Sequence, residues 1–206
     1  MRLKQLKKKI KVVFITMGFM IGLYNGFCGS DLEKEHTVYA AESINIISRG
    51  TSYTNEDLKY LTAIIYCEAR GQEYKGKLAV ANVILNRVES DIFDHVTTIQ
   101  EVIYDCKRWG RQFSPAYVKK NGKWTTKGSP LEKALKLYEK GNYANSIDKA
   151  AMEESKKAAK AALNGKRAVS EKALYFNGNI STTKANCKRN KIAYVVIGDH
   201  IFYRAS

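Results

Sequence analysis

Hydrophobic and polar positions first follow a helical period from about Asn55 onward. Thr54, with Asp57 three residues later, predicts a capping box at the start of this helix. Gly71 lies just past the last periodic residue and predicts a left-handed cap. The apolar side chains share an arc of about 120° on one face: Leu58, Leu61, Ile64 and Ile65.

A carboxylate, Glu68, lies inside this apolar face, one turn from the end of the helix. Burying an unpaired carboxylate is costly, so Glu68 needs either a buried partner or a chemical role. Desolvation and the negative end of the helix dipole both raise its pKa, which suits a general acid. A structural ion pair with Arg70 or Arg87 is the alternative, and spacing alone leaves both open.

The next helix, about 73–89, is apolar nearly all round, which predicts a central buried helix. Asn82 and Asn86 are its polar exceptions, four residues apart on one face. Buried amides need partners, so these two either cross-link the core or line a cleft. Residues 102–104 predict a strand or a short helix, and residues 117–128 predict an exposed excursion.

Two further helices follow, and then the period changes to that of strands. Ser129 before Pro130 predicts a helix that runs to Gly141, and an Ala/Lys/Glu-rich helix spans residues 146–163. Gly198-Asp199 is a two-residue hairpin turn. The predicted strands are 173–176, 193–197 and 200–203. Four helices followed by a small antiparallel sheet predict an α+β fold.

The composition narrows the class of partner. The chain has 206 residues, 45% of them hydrophobic, and a net charge of +15, enough for one domain with a core. The positive charge suits a polyanion such as nucleic acid, a membrane surface or an anionic wall polymer. No recognition helix, basic stripe with aromatics or zinc-ligand cluster is seen, so we expect no nucleic-acid partner and no metal.

The N-terminus has the pattern of an export signal. Residues 1–40 combine a basic n-region with the apolar stretch 12–24, so they predict a signal peptide, or a signal anchor if uncleaved. We expect membrane contact only through that leader. Residues 41–54 are then a linker, and residues 55–206 form the working domain.

Cysteine usage is compatible with export but not informative. Cys67, Cys106 and Cys187 remain after processing, an odd number for an oxidising compartment. One possibility is a Cys106–Cys187 bridge that leaves Cys67 buried.

Several short motifs follow one another in an order that is typical of a known family. Together they span about residues 55–204, and the domain resembles the catalytic domain of the SleB/CwlJ-type cell wall hydrolases, the spore-cortex-lytic enzymes. The motifs are Glu68-Ala69-Arg70-Gly71, Ala79-Val80-Ala81, Asn86-Arg87-Val88, Gln112-Phe113-Ser114, Tyr175-Phe176-Asn177 and Ile197-Gly198-Asp199-His200-Ile201-Phe202-Tyr203.

This resemblance implies a lysozyme-like α+β fold and a lytic transglycosylase that cleaves the MurNAc–GlcNAc bond of peptidoglycan. Glu68 occupies the position of the single catalytic acid. The resemblance further implies a monomeric, cofactor-free, secreted or wall-associated enzyme with a possible role in spore cortex breakdown during germination. The candidate substrate-binding residues are Asn86, Gln112, Phe113, Ser114, Tyr175, Asn177 and His200.

Three other functions stay open at this point. A muramidase would cut the same glycan with water, and a non-catalytic protein would only bind the wall. A Cys/His wall peptidase would use Cys67 and His200. Helix geometry counts against the peptidase, because reactive thiolates favour helix N-termini and Cys67 lies at a C-terminal end.

Overall fold

The computed structural model describes residues 53–108 and 110–204. The predicted leader, most of the linker and Trp109 lie outside these residues. None of the helices in the described part of the chain combines the length and hydropathy of a transmembrane span.

The first helix, α1, spans Asn55–Ala69. Thr54 and Asp57 form the predicted capping box, in which each side chain accepts a hydrogen bond from the other's backbone N–H. The predicted left-handed cap at Gly71 is wrong. The helix instead ends at Arg70 in the right-handed region, and the Gln72 N–H closes a turn onto the Ala69 carbonyl at 3.0 Å.

Helix α2, Tyr74–Glu89, is the predicted central helix, and every residue from 76 to 88 is buried. It packs against α1 and against a short helix, α3, at Ile99–Ile103, so residues 102 and 103 are helical and not a strand. The exposed excursion is a two-stranded hairpin with β1 at Val118–Lys120 and β2 at Lys123–Thr125.

The two later helices complete the helical layer. Ser129 caps α4, Pro130–Lys140, and Gly141 ends it with a φ of 66°. Helix α5, Ser146–Leu163, lies against both α1 and α2, while α4 packs on α1. The core therefore lies between α1, α2 and α5.

A three-stranded antiparallel sheet closes the fold. It contains β3 at Ala173–Asn177, β4 at Tyr194–Ile197 and β5 at His200–Arg204, in the order β3-β5-β4, and β3 packs on α2. The predicted α+β class and the hairpin at Gly198-Asp199 are confirmed.

One helix, α6, at Ile180–Arg189 between β3 and β4, was not predicted from the sequence. Cys187 is its one buried residue, so α6 has no apolar stripe for a periodicity argument to detect. Cys187 is also a free thiol, so the suggested Cys106–Cys187 bridge is wrong.

Candidate active site

Glu68 projects from the last turn of α1 and is half-buried. Its carboxyl group makes no hydrogen bond or ion pair with any residue in the described part of the chain. Burial raises its pKa from 4.5 to about 7, and the positive charge of Arg87 opposes this shift. A carboxyl group with such a pKa can both give and accept a proton near neutral pH.

The two arginines that could have made Glu68 a structural strut are engaged elsewhere. Arg70 forms an ion pair with Asp148 on α5. The Arg87 Nε donates a hydrogen bond of 2.8 Å to the Leu174 carbonyl on β3. The ion-pair alternative for Glu68 therefore has no contact to support it among the described residues.

Arg87 is a buried cation, only 4% exposed, held between aromatic rings. Its guanidinium carbon lies 4.9 Å from the ring centre of Phe93, 5.2 Å from that of Phe113 and 5.5 Å from that of Tyr175. Burial lowers its pKa to about 10, so it stays charged at neutral pH. Its Nη1 has no hydrogen-bond partner among the described residues.

His200 lies in an aromatic cluster at the start of β5. Its ring meets Phe176 edge-to-face at 5.4 Å and Phe202 at 6.1 Å. Burial lowers its pKa, so the imidazole is neutral at neutral pH, and Nδ1 has no partner among the described residues. Phe176 also contacts Phe113 at 6.2 Å, which joins this cluster to the rings around Arg87.

Two predicted substrate-binding residues lie beneath the surface. Asn86 is buried, and its amide donates to the carbonyls of Ser170 at 2.9 Å and Ala173 at 2.7 Å. Asn82, one turn earlier on α2, also forms hydrogen bonds with the connection between α5 and β3. These contacts favour the cross-linking alternative for both amides. Phe113 is fully buried and supports Arg87 from within the core.

The other predicted substrate-binding residues have surface available to a ligand. Gln112 and Tyr175 are half-buried, and Ser114 and Asn177 are exposed. Gln112 donates to the Gly110 carbonyl at 3.0 Å, and Tyr175 stacks on Tyr203 at 5.5 Å. Of these residues, Tyr175 is in contact with Arg87, the cation whose charge lowers the pKa of Glu68.

Sequence reasoning missed Asp105, the only buried acid in the described part of the chain. Its carboxylate bonds His95 Nε2 at 2.9 Å and the Lys107 N–H at 3.0 Å. It also raises the pKa of Arg87 through its charge. Asp105 lies in a polar loop, where no apolar periodicity marks a buried position, so the sequence carried no signal for it.

Neither metal nor thiolate chemistry finds support in this arrangement. The described residues contain no group of three His, Cys, Asp or Glu side chains that could hold a metal ion. Burial and the neighbouring Glu68 raise the pKa of Cys67 to about 12, so its thiol stays protonated. That disfavours the Cys/His peptidase alternative.

Comparisons with known proteins agree on one family. The model of the Cell Wall Hydrolase family matches residues 71–203, beginning three residues after Glu68. The spore cortex-lytic enzyme of Bacillus subtilis strain 168 is 40% identical over 53 residues, which are 26% of this chain and 17% of that protein. The enzyme of the same name from Oceanobacillus iheyensis is 42% identical over 53 residues, 26% of this chain and 18% of that one. The chain thus spans less than a fifth of the length of these relatives.

Two solved structures are also similar. The catalytic domain of the germination-specific lytic transglycosylase SleB from Bacillus anthracis is 25% identical, with a TM-score of 0.44 over 75% of this chain and 98% of that one. The catalytic domain of Bacillus cereus SleB is 24% identical, with a TM-score of 0.44 over 76% and 95%. Because the family model covers more than half of the chain, the protein belongs to the Cell Wall Hydrolase family.

Proposed function

We propose that the protein is a lytic transglycosylase that cleaves the glycan strands of peptidoglycan with Glu68 as its single catalytic residue. The observation that carries this proposal is the state of the Glu68 carboxyl group, which is half-buried, unpaired among the described residues and has a pKa of about 7. A structural carboxylate would be paired, because burial without a partner is unfavourable.

The proposed reaction uses one carboxyl group twice, first as an acid and then as a base. Glu68 protonates the glycosidic oxygen between MurNAc and GlcNAc, and the C1–O bond breaks. The resulting carboxylate is stabilised by the charge of Arg87. It then accepts the proton of the muramoyl 6-hydroxyl, whose oxygen bonds to C1 and closes a 1,6-anhydro ring. Glu68 is again protonated, and no water is consumed.

The surrounding acids support this route over hydrolysis. Most glycoside hydrolases use two carboxyl groups, one of them as nucleophile or base. The one fully buried acid in the described part of the chain, Asp105, is already bonded to His95 and to the Lys107 N–H. Asp105 does not shift the pKa of Glu68, whereas the charge of Arg87 lowers it. A single carboxyl group is sufficient for transglycosylation.

We assign the substrate contacts to the accessible members of the predicted set: Gln112, Ser114, Tyr175, Asn177 and His200. Amide, hydroxyl and aromatic groups match the hydroxyls and apolar faces of sugars. A neutral His200 can donate or accept one hydrogen bond without competing electrostatically with Glu68. Asn86 and Phe113 hold these elements in place from the core.

The names of the relatives indicate which kind of peptidoglycan the protein cleaves. The curated relatives are named spore cortex-lytic enzymes. We infer from this that spore cortex is among the substrates, and that the protein acts in the cell envelope.

The test is digestion of vegetative sacculi and spore cortex by the purified full-length chain, with the products analysed by mass spectrometry. Muropeptides with 1,6-anhydromuramoyl ends are expected, and Glu68→Gln should release none. Glu73→Gln is the matched control, since Glu73 is exposed and its side chain caps no helix. Reducing muramoyl ends would make the protein a muramidase. Wall binding without cleavage by the native chain would make it a binding protein.

A further inference from the structure

A second concentration of charge lies outside the site of Glu68. Between Asp105 and Glu132 the chain has no acidic residue and seven basic ones: Lys107, Arg108, Arg111, Lys119, Lys120, Lys123 and Lys127. Arg108 is neutralised by Asp94 at 2.8 Å. The last five belong to or contact the hairpin of β1 and β2, and we call them the basic hairpin cluster.

The lysines of the hairpin lower its stability. Strands β1 and β2 pair only with each other in the described chain, and an isolated two-stranded hairpin is marginally stable. Lys120 lies directly opposite Lys123 across the ladder. Like charges in that position repel each other. Repulsion of this kind is relieved when an anion binds between the two ammonium groups.

Arg111 is positioned at the same hairpin by aromatic rings. Its guanidinium carbon lies 4.0 Å from the ring centre of Trp124 and 6.0 Å from that of Tyr117. Trp124 is 44% exposed, so the stacked pair faces solvent. A stacked guanidinium is held in a fixed plane, and its fork of N–H donors matches a phosphate oxygen pair. The sequence shows no basic stripe with aromatics at this place, because Arg111 and Trp124 are thirteen positions apart.

The charges of the cluster are available to a ligand. Arg111, Lys119, Lys123 and Lys127 form no ion pair with any acid in the described part of the chain. Lys120 lies near Glu132, but that carboxylate already bonds Lys136 at 2.6 Å and the Gly128 N–H.

We propose that the basic hairpin cluster binds a phosphodiester polyanion of the bacterial wall and thereby holds the enzyme on its substrate. Five basic groups on or against one short hairpin match a polymer with repeated phosphates. A membrane would need a continuous apolar face, and Trp124 is the one large exposed apolar residue on the hairpin. Family membership supplies the wall as the setting. The binding itself does not require the proposed chemistry of Glu68.

The experiment measures binding of the full-length chain to purified walls before and after the phosphodiester polymer is removed with cold hydrofluoric acid. All variants carry Glu68→Gln so that the walls are not digested. Replacing Lys119, Lys120, Lys123 and Lys127 together with Gln should weaken binding to intact walls at least tenfold. It should also flatten the dependence of binding on salt, because fewer counterions are released. Trp124→Ala should give a smaller loss in the same direction.

The matched control replaces four exposed lysines spread over three helices, Lys75, Lys133, Lys140 and Lys160, and changes the net charge equally. It should bind intact walls nearly as well as the parent. If both sets of variants lose binding equally, only the net charge matters and the proposal is overturned. The proposal is also overturned if the parent binds stripped walls as well as intact ones, because the polymer is then not the ligand. A hairpin variant that still binds walls but loses binding to phosphatidylglycerol vesicles or to duplex DNA would overturn it as well. Circular dichroism confirms that each variant is folded.

Discussion

Gln72 and Asp199 form two reciprocal hydrogen bonds although they are 127 positions apart in the chain. The Gln72 Nε2 donates to the Asp199 carboxylate at 2.7 Å, and the Asp199 N–H donates to the Gln72 Oε1 at 3.0 Å. The pair ties the turn after α1, four residues from Glu68, to the hairpin turn that precedes His200. It therefore fixes the end of the helix that carries the proposed acid relative to the sheet.

Gln72→Ala should lower glycan cleavage more than it lowers stability. Each exposed hydrogen bond contributes about 1 kcal/mol to folding, whereas a small displacement of a catalytic group costs rate steeply. We expect a five- to twenty-fold fall in the cleavage rate and only a small fall in Tm. The pH of half-maximal activity should not move, because no charge next to Glu68 changes.

The control for this variant is Gln100→Ala, which removes an exposed amide whose hydrogen bond to Glu56 is long, at 3.4 Å. It should leave cleavage unchanged. Gly198→Ala is a second way to disturb the pair, since Gly198 has a φ of 55° and an added methyl group would overlap the Gln72 Oε1. Full activity in both Gln72→Ala and Gly198→Ala would show that the pair does not position Glu68.

Arg87→Met should raise the pKa of Glu68. The charge of Arg87 opposes the effect of burial on that pKa, so its removal leaves desolvation unopposed. Since the proposed acid must be protonated, the alkaline limb of the activity profile should move to higher pH. The measurement is cleavage rate against pH, supported by NMR titration of the labelled Glu68 carboxyl group.

Arg87→Lys serves as the matched variant, because it keeps a positive charge and loses the planar contacts with the rings. Its alkaline limb should stay close to that of the parent even if the rate falls. An unmoved limb in a folded Arg87→Met protein would contradict the electrostatic role.

Glu68→Gln should stabilise the fold at alkaline pH. The folded-state pKa of about 7 lies above the unfolded value of 4.5, so the native state binds more protons between these limits. The parent's free energy of unfolding should therefore fall as the pH rises through this window, by about 3 kcal/mol for a shift of this size. The variant lacks this loss.

Urea unfolding at pH 4.5 and at pH 8 measures this difference. The two proteins should be similar at the lower pH and diverge at the higher one. Glu73→Gln, at an exposed position, should follow the parent at both. A constant difference between Glu68→Gln and the parent at all pH values would mean that Glu68 is not desolvated.

Asn86→Ala should destabilise the protein without a specific effect on substrate binding. The change leaves the buried carbonyl of Ala173 and the partly buried carbonyl of Ser170 without their donor. An unsatisfied buried group costs about 1–3 kcal/mol. Urea unfolding should show this loss, while KM for soluble glycan fragments stays within about twofold. A raised KM with unchanged stability would return Asn86 to the substrate-binding residues.

Cys67→Ser should retain cleavage activity. The raised pKa of Cys67, about 12, keeps its thiol protonated at neutral pH, and the proposed reaction does not use it. Release of glycan fragments and of free peptide amino groups should both be followed. Loss of peptide release in Cys67→Ser would favour the peptidase alternative, for which His200→Ala should then give the same loss.

Several local features of this fold were predictable because each depends on neighbours in the chain. The capping box of Thr54 and Asp57, the cap at Gly141 and the turn at Gly198 all follow from backbone chemistry over three or four positions. Helix α6 could not be predicted from local pattern, because it buries only one side chain and therefore has no periodic apolar stripe.

The sequence by itself determined the α+β class, the buried helix α2 and the placement of a carboxyl group in an apolar face of α1, because periodicity and composition are local properties. Only the tertiary structure decided that Glu68 has no partner among the described residues, since its candidate partners Arg70 and Arg87 are held by Asp148 and by Leu174. Contacts of that kind join residues about 80 positions apart, and the energy that selects them comes from packing of the whole core.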